Sequence, residues 1–176
     1  AGEDAVQYMS QNGDIDGIVL RISNAFGAPV RPETDCWALL VNDLCLQATT
    51  LSRLKLKTSG RQYRNFIPIR DLCEKVDYFL SPLYEYDLHI DHVYNLGSKV
   101  TISVYEMALL VDECYQSLFN EKLTVTIGGD DDVAFHSDKP LTYGVDKLLS
   151  MQGPSPDYFK QEIKNLLLFC NTHFLK

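Results

Sequence analysis

The sequence of 176 residues lacks a glycine-rich phosphate-binding signature and paired cysteines. Its ten glycines form neither G-x-G-x-x-G nor G-x-x-G-x-x-G, so the chain contains no dinucleotide-binding fingerprint. No two of the five cysteines are spaced as C-x-x-C, and their number is odd. This usage favours reduced, buried thiols over disulfides or a zinc site, and we expect no structural metal.

Long apolar segments and positive charge are also scarce. The longest apolar runs, such as WALLV and NLLLFC, are far too short to cross a bilayer, and no charged-then-apolar leader precedes them. The 16 lysines and arginines are outnumbered by 24 aspartates and glutamates, and a net charge of -8 argues against nucleic acid as the main partner. With 45% hydrophobic residues, we expect a cytoplasmic, globular chain with no membrane partner.

Patterns typical of strands and helices alternate along the chain, which predicts a mixed α/β fold. The run DGIVLRIS is apolar and rich in β-branched residues, as expected for a buried strand of a parallel sheet. The loop NAFGAPVRP follows it, where open α/β sheets place ligand contacts. Short strands are also predicted in HVYNLG, in KLTVTIGG and on both sides of a Ser59-Gly60 turn. They are too few to close a sheet of their own.

Five segments have helical periodicity. The first helix ends at Asn12-Gly13, the second covers residues 36–51, and the third is RDLCEKVDYFL. Ser103, with Glu106 three residues later, predicts a capping box at the start of the fourth helix. The terminal helix lies in PSPDYFKQEIKNLLLFCNTHF, and its predicted buried stripe consists of Phe159, Ile163, Leu166 and Leu167.

The stretch LTYGVDKLL places Tyr143 and Lys147 four residues apart, which is about one helical turn. A lysine beside a tyrosine lowers the pKa of the phenol, which makes the pair a candidate general acid/base. The same spacing, followed by two leucines, also describes the start of an amphipathic helix whose polar groups face water.

Two further polar stretches lie next to predicted strands. In LRISNAFG, the amide of Asn24 is suited to bind a phosphate or sugar oxygen, and an ordinary turn-forming asparagine is the alternative. GRQYRNFIPIRD contains Arg61, Arg64 and Arg70, a candidate anion clamp because a guanidinium can hold a diphosphate bidentately. A surface loop with ordinary salt bridges is the alternative for these arginines.

Four stretches together resemble the C-terminal half of the extended short-chain dehydrogenase/reductases, the NAD-dependent nucleotide-sugar epimerase/dehydratase family. They are, in the order typical of that family, VLRISNAFGAP, LKLKTSGRQYRNFIPIRDL, VYNLGSKVTISVYEMA and DKLLSMQGPSP. The resemblance covers essentially the whole chain. The fold class that it implies is α/β, the C-terminal substrate-binding part of a Rossmann-type protein that lacks most of the parallel dinucleotide-binding sheet.

The resemblance implies that the catalytic Tyr-x-x-x-Lys lies just before Ala1, so we expect no catalytic residue in this chain and interpret the Tyr143–Lys147 spacing as a coincidence. A Rossmann half of roughly 150 residues is expected to precede Ala1. Residues 1–35 are expected to be the tail of that half, with the end of the catalytic helix, one sheet strand and the substrate loop. Residues 36–176 are expected to form a mixed α/β substrate-binding part, in which the strand at 92–97 returns to the sheet.

By the same resemblance, Arg64 holds the diphosphate of a nucleotide sugar, and Asn24 binds its phosphate or sugar. The residues expected to border the nucleotide base are Trp37, Leu40, Lys55 and Lys57. The backbone at Ile22 and Ser23 is expected to face the nicotinamide.

The chain departs from the family pattern at three places. Lys57 and Thr58 stand where the family usually has an aromatic residue and glycine, and Asn65 stands where it usually has aspartate. The segment GGDDDVAFH offers three acids and His136 where many relatives carry a second phosphate-binding arginine. Three adjacent carboxylates repel a diphosphate.

The complete protein is expected to bind NAD or NADP, oxidise a sugar hydroxyl to a keto form, and then epimerise, dehydrate or reduce the sugar. We expect this chain alone to be inactive and to bind no cofactor tightly. Its exposed strand edges predict a homo-oligomer or association with the N-terminal half. The alternative is a stand-alone binding or scaffold module derived from the same fold.

Overall fold

The structure, a computed structural model, describes residues 2–81, 93–128, 141–145 and 156–175. The helices are α1 (Gly2–Gln11), α2 (Leu40–Leu51), α3 (Ile69–Leu80), α4 (Val104–Phe119) and α5 (Pro156–Phe174). The strands are β1 (Val19–Ile22), β2 (Asn24–Phe26), β3 (Arg53–Leu56), β4 (Tyr63–Pro68), β5 (Val93–Leu96), β6 (Thr101–Ser103) and β7 (Thr124–Ile127). The predicted α/β class is confirmed.

The described strands form three small sheets. β1 pairs with β5, and β3 pairs with β7, both in parallel. The third sheet has the order β2-β4-β6, in which β2 and β4 are parallel and β4 and β6 are antiparallel. Sheets of two or three strands are marginal by themselves, so each depends on the helices packed against it.

The sheet β2-β4-β6 separates two hydrophobic clusters. Phe26 and Phe66 project from one face into the larger cluster, which also contains the buried side chains of α2, α4 and α5. Ile67 projects from the opposite face into the smaller cluster, which includes Leu72 of α3 and Leu96 of β5. Because successive side chains of a strand point to opposite faces, β4 contributes to both clusters.

The capping box predicted for α4 and the buried stripe predicted for α5 are confirmed. The Ser103 hydroxyl accepts a hydrogen bond from the Glu106 amide at 3.1 Å, and the Glu106 carboxylate accepts one from the Ser103 amide at 2.7 Å. The predicted stripe of α5 is buried throughout: Phe159, Ile163, Leu166 and Leu167 are at most 2% exposed. Among the residues described, no helix has the length and apolar character that crossing a membrane requires.

The predicted start of the second helix is wrong by four residues. The prediction placed it at Cys36, whereas α2 begins at Leu40. Leu39 has an extended backbone, and its amide donates to the Cys36 carbonyl at 3.2 Å, so residues 36–39 form a turn. The Trp37 indole stabilises this turn, because its N–H donates to the Pro32 carbonyl at 2.8 Å.

The prediction of buried thiols is correct for three of the five cysteines. All five are free, and Cys45, Cys114 and Cys170 are buried in the helical layer. Burial raises the pKa of Cys114 to about 11 and that of Cys170 to about 12, so both thiols stay protonated. Cys73 is exposed because it lies on the solvent side of α3, and Cys36 is partly exposed in the turn before α2.

Candidate functional site

Asn24 and Arg64 lie on the same face of the sheet β2-β4-β6. Asn24 begins β2 and is the Cα partner of Phe66 in β4, and Arg64 precedes Phe66 by two residues. Paired residues share a face, and so do residues two apart on one strand, so both side chains project on the side of Phe66. The two residues assigned to the substrate by resemblance are therefore neighbours across this sheet.

The guanidinium of Arg64 forms no ion pair with any described residue. It is partly exposed, and its Nη2 donates one long hydrogen bond to the Gln62 side chain at 3.4 Å. Arg61, three residues earlier, is exposed. Arg70 differs, because its Nε lies 3.0 Å from the Glu74 carboxylate on the first turns of α3. An exposed ion pair accounts for Arg70, which leaves Arg61 and Arg64 as the candidates for anion binding.

Arg64 lies in a segment with no negative charge, a signal that the sequence analysis missed. Residues 44–70 contain six of the 16 lysines and arginines and none of the 24 aspartates and glutamates. The six are Arg53, Lys55, Lys57, Arg61, Arg64 and Arg70. In an acidic protein this places positive charge on β3, β4 and the segment between them, which favours the approach of an anion.

The amide of Asn24 is oriented by a contact with the next strand. Its Nδ2 donates to the Asn65 carbonyl at 2.9 Å, which fixes which end of the amide is nitrogen. The side chain is otherwise exposed, so Oδ1 and the second N–H face solvent. Asn24 is thus able to accept a hydrogen bond from a hydroxyl and to donate one to an oxygen.

Asn65 holds the strand that carries Arg64. Its side chain is 1% exposed, and Nδ2 donates to the Ser98 carbonyl at 2.8 Å, to Thr101 Oγ1 at 3.0 Å and to the Val100 carbonyl at 3.3 Å. Its Oδ1 accepts from the Ser98 amide at 3.2 Å. A carboxylate has no proton to donate to these acceptors, which gives a physical reason for asparagine at this position.

Trp37 and Leu40 pack against the larger hydrophobic cluster. The Trp37 ring is stacked on Phe169 with centroids 6.1 Å apart and meets the edge of Phe174 at 4.9 Å. Leu40 opens α2 and is partly buried. Both side chains have structural roles in this packing, and their contact with a nucleotide base stays a prediction.

Lys55 and Lys57 are exposed beside the strand β7. In β3, Leu54 and Leu56 are buried, whereas Lys55 points away from the core next to Thr126. The Lys55 amide donates to the Gln47 side chain at 2.8 Å. Neither lysine forms an ion pair with a described residue, so both leave their positive charge uncompensated within the acid-free segment 44–70.

Ile22 and Ser23 lie at the C-terminal end of β1. The sequence predicts a buried strand here, which is wrong for Arg21 and Ile22, since both are exposed. Ile22 is 52% exposed because β5 is the one described neighbour of β1, and Arg21 is exposed in an ion pair with Glu3 at 2.6 Å. Ser23 extends the ladder by one bond, with its amide 2.9 Å from the Leu96 carbonyl.

Tyr143 lies over the same end of these strands. Its hydroxyl donates to the Arg21 carbonyl at 2.9 Å, and Asn95 donates to the neighbouring Gly144 carbonyl at 2.8 Å. The ring packs against Gly97, where an added Cβ would lie 2.6 Å from ring atom Cε1. Burial raises the pKa of the Tyr143 phenol, and the positive charge of Arg21 lowers it to a smaller extent. The phenol is therefore neutral.

Several residues singled out in the sequence lie outside the described part of the chain. They are Lys147, His136 and the three adjacent acids Asp130, Asp131 and Asp132. The interpretation of the Tyr143–Lys147 spacing as a coincidence therefore stays a prediction.

Glu162 is buried next to the loop that follows Asn24, and Asp71 is buried close enough to Glu162 to influence its pKa. A Cβ at Gly27 would lie 2.6 Å from Glu162 Oε1, so this carboxylate packs against the Gly27 backbone. Asn42 binds the same glycine, with Nδ2 3.1 Å from its carbonyl. Asp71 Oδ2 is buried and has no hydrogen-bond partner in the part of the chain that the structure describes. The loop after β2 is thus held by polar side chains of α2 and α5.

Burial raises the pKa of both carboxyls. For Asp71 burial is the largest cause, and Lys75 offsets it in part. For Glu162 burial is again the largest cause, opposed by Arg70 and reinforced by Asp71. The pKa of each carboxyl is higher in the folded state than its value of about 4 in the unfolded chain. At a pH between these two pKa values, the folded state therefore binds more protons than the unfolded state. The contribution of these groups to stability therefore falls as the pH rises through this window and is regained on acidification.

Glu162→Gln is expected to raise the free energy of unfolding at pH 7 by about 1 kcal/mol, because it removes a buried charge while keeping the shape. The gain should disappear near pH 4, where the wild-type carboxyl is protonated. Urea denaturation at several pH values measures the difference, with the exposed Glu121→Gln as control. A variant less stable than wild type at pH 7 would show that the charge of Glu162 has a stabilising partner.

The family of the chain follows from its first hundred residues, which contain β1, the Asn24 loop and the Arg64 strand. Residues 1–100 match the family model described as the NAD dependent epimerase/dehydratase family, which is more than half of the chain. The chain belongs to this family. The family assignment made from the sequence is confirmed. No curated protein matches the sequence.

Solved epimerases share the fold of this member of the epimerase/dehydratase family. UDP-glucuronic acid 4-epimerase of Bacillus cereus, in complex with UDP-glucuronic acid and NAD, is 17% identical with a TM-score of 0.68. UDP-glucose 4-epimerase of Thermus thermophilus, in complex with NAD, is 15% identical with a TM-score of 0.68. UDP-N-acetylglucosamine 4-epimerase of Methanobrevibacter ruminantium, in complex with UDP-N-acetylmuramic acid, is 14% identical with a TM-score of 0.66.

These matches include 97–98% of this chain and 51% of each epimerase. The chain therefore spans about half the length of the solved structures that it resembles. At this level of identity the likeness shows the fold, which is the α/β arrangement with small parallel sheets found in part of the epimerase chains.

Proposed function

We propose that this chain forms the nucleotide-sugar-binding part of an NAD- or NADP-dependent epimerase, dehydratase or reductase. The observation that carries the proposal is the pairing of an Arg64 guanidinium that has no ion pair in the described chain with an exposed Asn24 amide on one sheet face. A guanidinium neutralises a diphosphate and binds it bidentately, and a neutral amide orients a sugar hydroxyl.

The positive segment around Arg64 supports a phosphate-containing ligand. Arg64 binds the diphosphate, Arg61 and the exposed Lys57 add positive charge beside it, and Asn24 contacts the sugar or its phosphate. Trp37, which packs on Phe169, is proposed to border the base together with Leu40, Lys55 and Lys57. The relatives whose structures contain UDP-sugars make a uridine nucleotide the first ligand to test.

We propose that the C-terminal end of β1 faces the nicotinamide part of a dinucleotide. Ile22 exposes an apolar side chain there, and the buried hydroxyl of Ser23 has no hydrogen-bond partner among the described residues. The dinucleotide, when bound, supplies the hydride acceptor that turns a sugar alcohol into a ketone. The residues of this chain bind and orient the sugar nucleotide, and the acid/base tyrosine is proposed to lie in polypeptide before Ala1.

The surface of α1 supports an association with further polypeptide. None of the helix residues is buried, and Tyr8 and Met9 are 66% and 42% exposed. Large apolar side chains at this exposure, next to the edge of β1 that has no strand partner in the described chain, are typical of a surface that is covered by further polypeptide. We propose that an N-terminal Rossmann part or a second subunit covers it, and that the chain alone is inactive.

Arg64→Gln in the complete protein is expected to weaken binding of UDP-glucose or UDP-glucuronic acid at least tenfold, about 1.4 kcal/mol. Isothermal titration calorimetry measures this loss. The matched control is Arg53→Gln, which removes a charge from the same acid-free segment on β3 and should change the affinity less than twofold. Equal losses of affinity for the two variants would indicate that the positive charge of the whole segment attracts the ligand and that Arg64 makes no specific contact with it. Absence of binding by the wild-type protein would contradict the proposed function.

A further inference from the structure

The solvent side of the sheet β3-β7 is positively charged. Burial alternates along β3: Leu54 and Leu56 are buried in the larger hydrophobic cluster. Arg53 and Lys55 lie between them in the alternation and point to solvent. Lys57 is exposed and continues this alternation directly after the strand. We call this surface the outer face of β3-β7, and it consists of Arg53, Lys55, Lys57, Thr124 and Thr126.

The charges of the outer face are uncompensated within the described chain. None of its three cations forms an ion pair with a described residue, and the segment 44–70 contains no acid. The neighbours in β7 are neutral, since Arg53 pairs with Thr124 and Lys55 pairs with Thr126. Like charges at this spacing repel one another, and an anionic partner removes this repulsion.

The spacing of the cations matches an extended polypeptide. Side chains two residues apart on one side of a strand are separated by roughly 6.6–6.8 Å, and Arg53, Lys55 and Lys57 follow this repeat. An extended peptide presents every second side chain at the same repeat. Carboxylates at alternate positions of such a peptide therefore align one to one with the three cations.

The outer face suits a short acidic peptide better than a nucleic acid or an anionic membrane. None of its five residues is aromatic, so it has no platform on which a base can stack. The chain has a net charge of -8 although segment 44–70 is positive, so the remainder is acidic. A long nucleic acid or a bilayer extends beyond this face and is repelled by that remainder. A short peptide stays within the screening length of about 8 Å from the cations.

We propose that the outer face of β3-β7 binds an extended acidic segment of a partner protein, with carboxylates at alternate positions. Each carboxylate forms an exposed ion pair with one of the three cations, so the contact is weak and depends on salt. The inference goes beyond the proposed function. Lys55 and Lys57 are also proposed to border the nucleotide base, whereas Arg53 has no role at the nucleotide, so Arg53 is the residue to test.

The test measures binding of fluorescein-labelled peptides to the complete protein by fluorescence anisotropy. A peptide in which glutamate and threonine alternate should bind at least about threefold more tightly than a peptide of the same composition with its glutamates in one block. Arg53→Glu should weaken binding of the alternating peptide about tenfold, because an ion pair becomes a repulsion. Lys99→Glu makes the same charge change at an exposed lysine outside the outer face, and it should weaken binding less than about twofold.

Equal affinities of Arg53→Glu and wild type for the alternating peptide would overturn the inference. The cations would then serve to keep the sheet from pairing with other chains. Tighter binding of a single-stranded DNA oligonucleotide, or of vesicles of phosphatidylserine and phosphatidylcholine, would overturn it in favour of a phosphate ligand. Wild-type protein that binds the peptide but not UDP-glucose would contradict the proposed function and leave this inference intact, and the reverse result would do the opposite.

Discussion

Asn65→Asp is expected to lower the free energy of unfolding by about 3 kcal/mol or more, although it installs the residue usual in the epimerase/dehydratase family. The side chain is 1% exposed, and its Nδ2 donates to three oxygens, those of Ser98, Val100 and Thr101. The substitution preserves the shape but turns the donor into an acceptor that faces two carbonyl oxygens, whereas the Thr101 hydroxyl is able to donate to it. Protonation relieves this repulsion in part, so the loss should be smaller at acidic pH.

Chemical denaturation at pH 5 and pH 7 measures this effect. Asn95→Asp is the matched control, because the Asn95 side chain makes one hydrogen bond within the described residues, an exposed one to the Gly144 carbonyl. This variant should lose less than about 1 kcal/mol. Similar losses for the two variants would mean that the buried network around Asn65 does not stabilise the fold. A weakened UDP-sugar affinity of Asn65→Asp in protein that is still folded would show that this network also positions Arg64.

Gly97→Ala is expected to destabilise the protein by about 2–3 kcal/mol. The new methyl group would lie 2.5 Å from Asn65 Oδ1 and 2.6 Å from Tyr143 Cε1. Both groups have to shift: the Tyr143 ring is displaced, and the buried hydrogen bonds of Asn65 are strained. The hydroxyl of Tyr143 then loses its contact with the Arg21 carbonyl, and segment 141–145 separates from the end of β1.

Thermal denaturation measures the loss of stability, and hydrogen exchange at residues 141–145 measures the separation. Gly2→Ala is the control, since nothing lies within 4 Å of a Cβ at this position and alanine favours a helix. It should be neutral or slightly stabilising. Gly97→Ala with wild-type stability and wild-type exchange would mean that the contact of Tyr143 with Gly97 is not part of the folded structure.

The elements that the sequence predicts well are those with local causes. The capping box of Ser103 and Glu106 joins groups three residues apart, and the buried stripe of α5 is one face of a single helix. Their interaction partners are neighbours in the sequence, so a pattern is sufficient. The start of α2 was predicted wrongly because the turn before it depends on the Trp37 indole and the Pro32 carbonyl, which no helical pattern reveals.

The candidate site was predictable in part. The motif order identified the epimerase/dehydratase family together with Asn24 and Arg64, and these two residues prove to share a sheet face. The sequence did not reveal the partners of Asn65, which lie 33–36 residues away, or the contact of Tyr143 with Arg21, 122 residues away. The acid-free segment 44–70 was visible in the sequence and became informative once the structure showed that Arg64 forms no ion pair in the described chain.

The sequence by itself determined the α/β class, the family, most helices and strands, and the absence of a glycine-rich fingerprint from this chain. Periodicity, capping and motif order depend on residues that are close along the chain. The tertiary structure alone decided that Asn65 must donate hydrogen bonds, that Gly97 leaves room for Tyr143 and that the Ser23 hydroxyl is buried with no hydrogen-bond partner in the described chain. Each of these depends on groups that only the pairing of distant strands brings together.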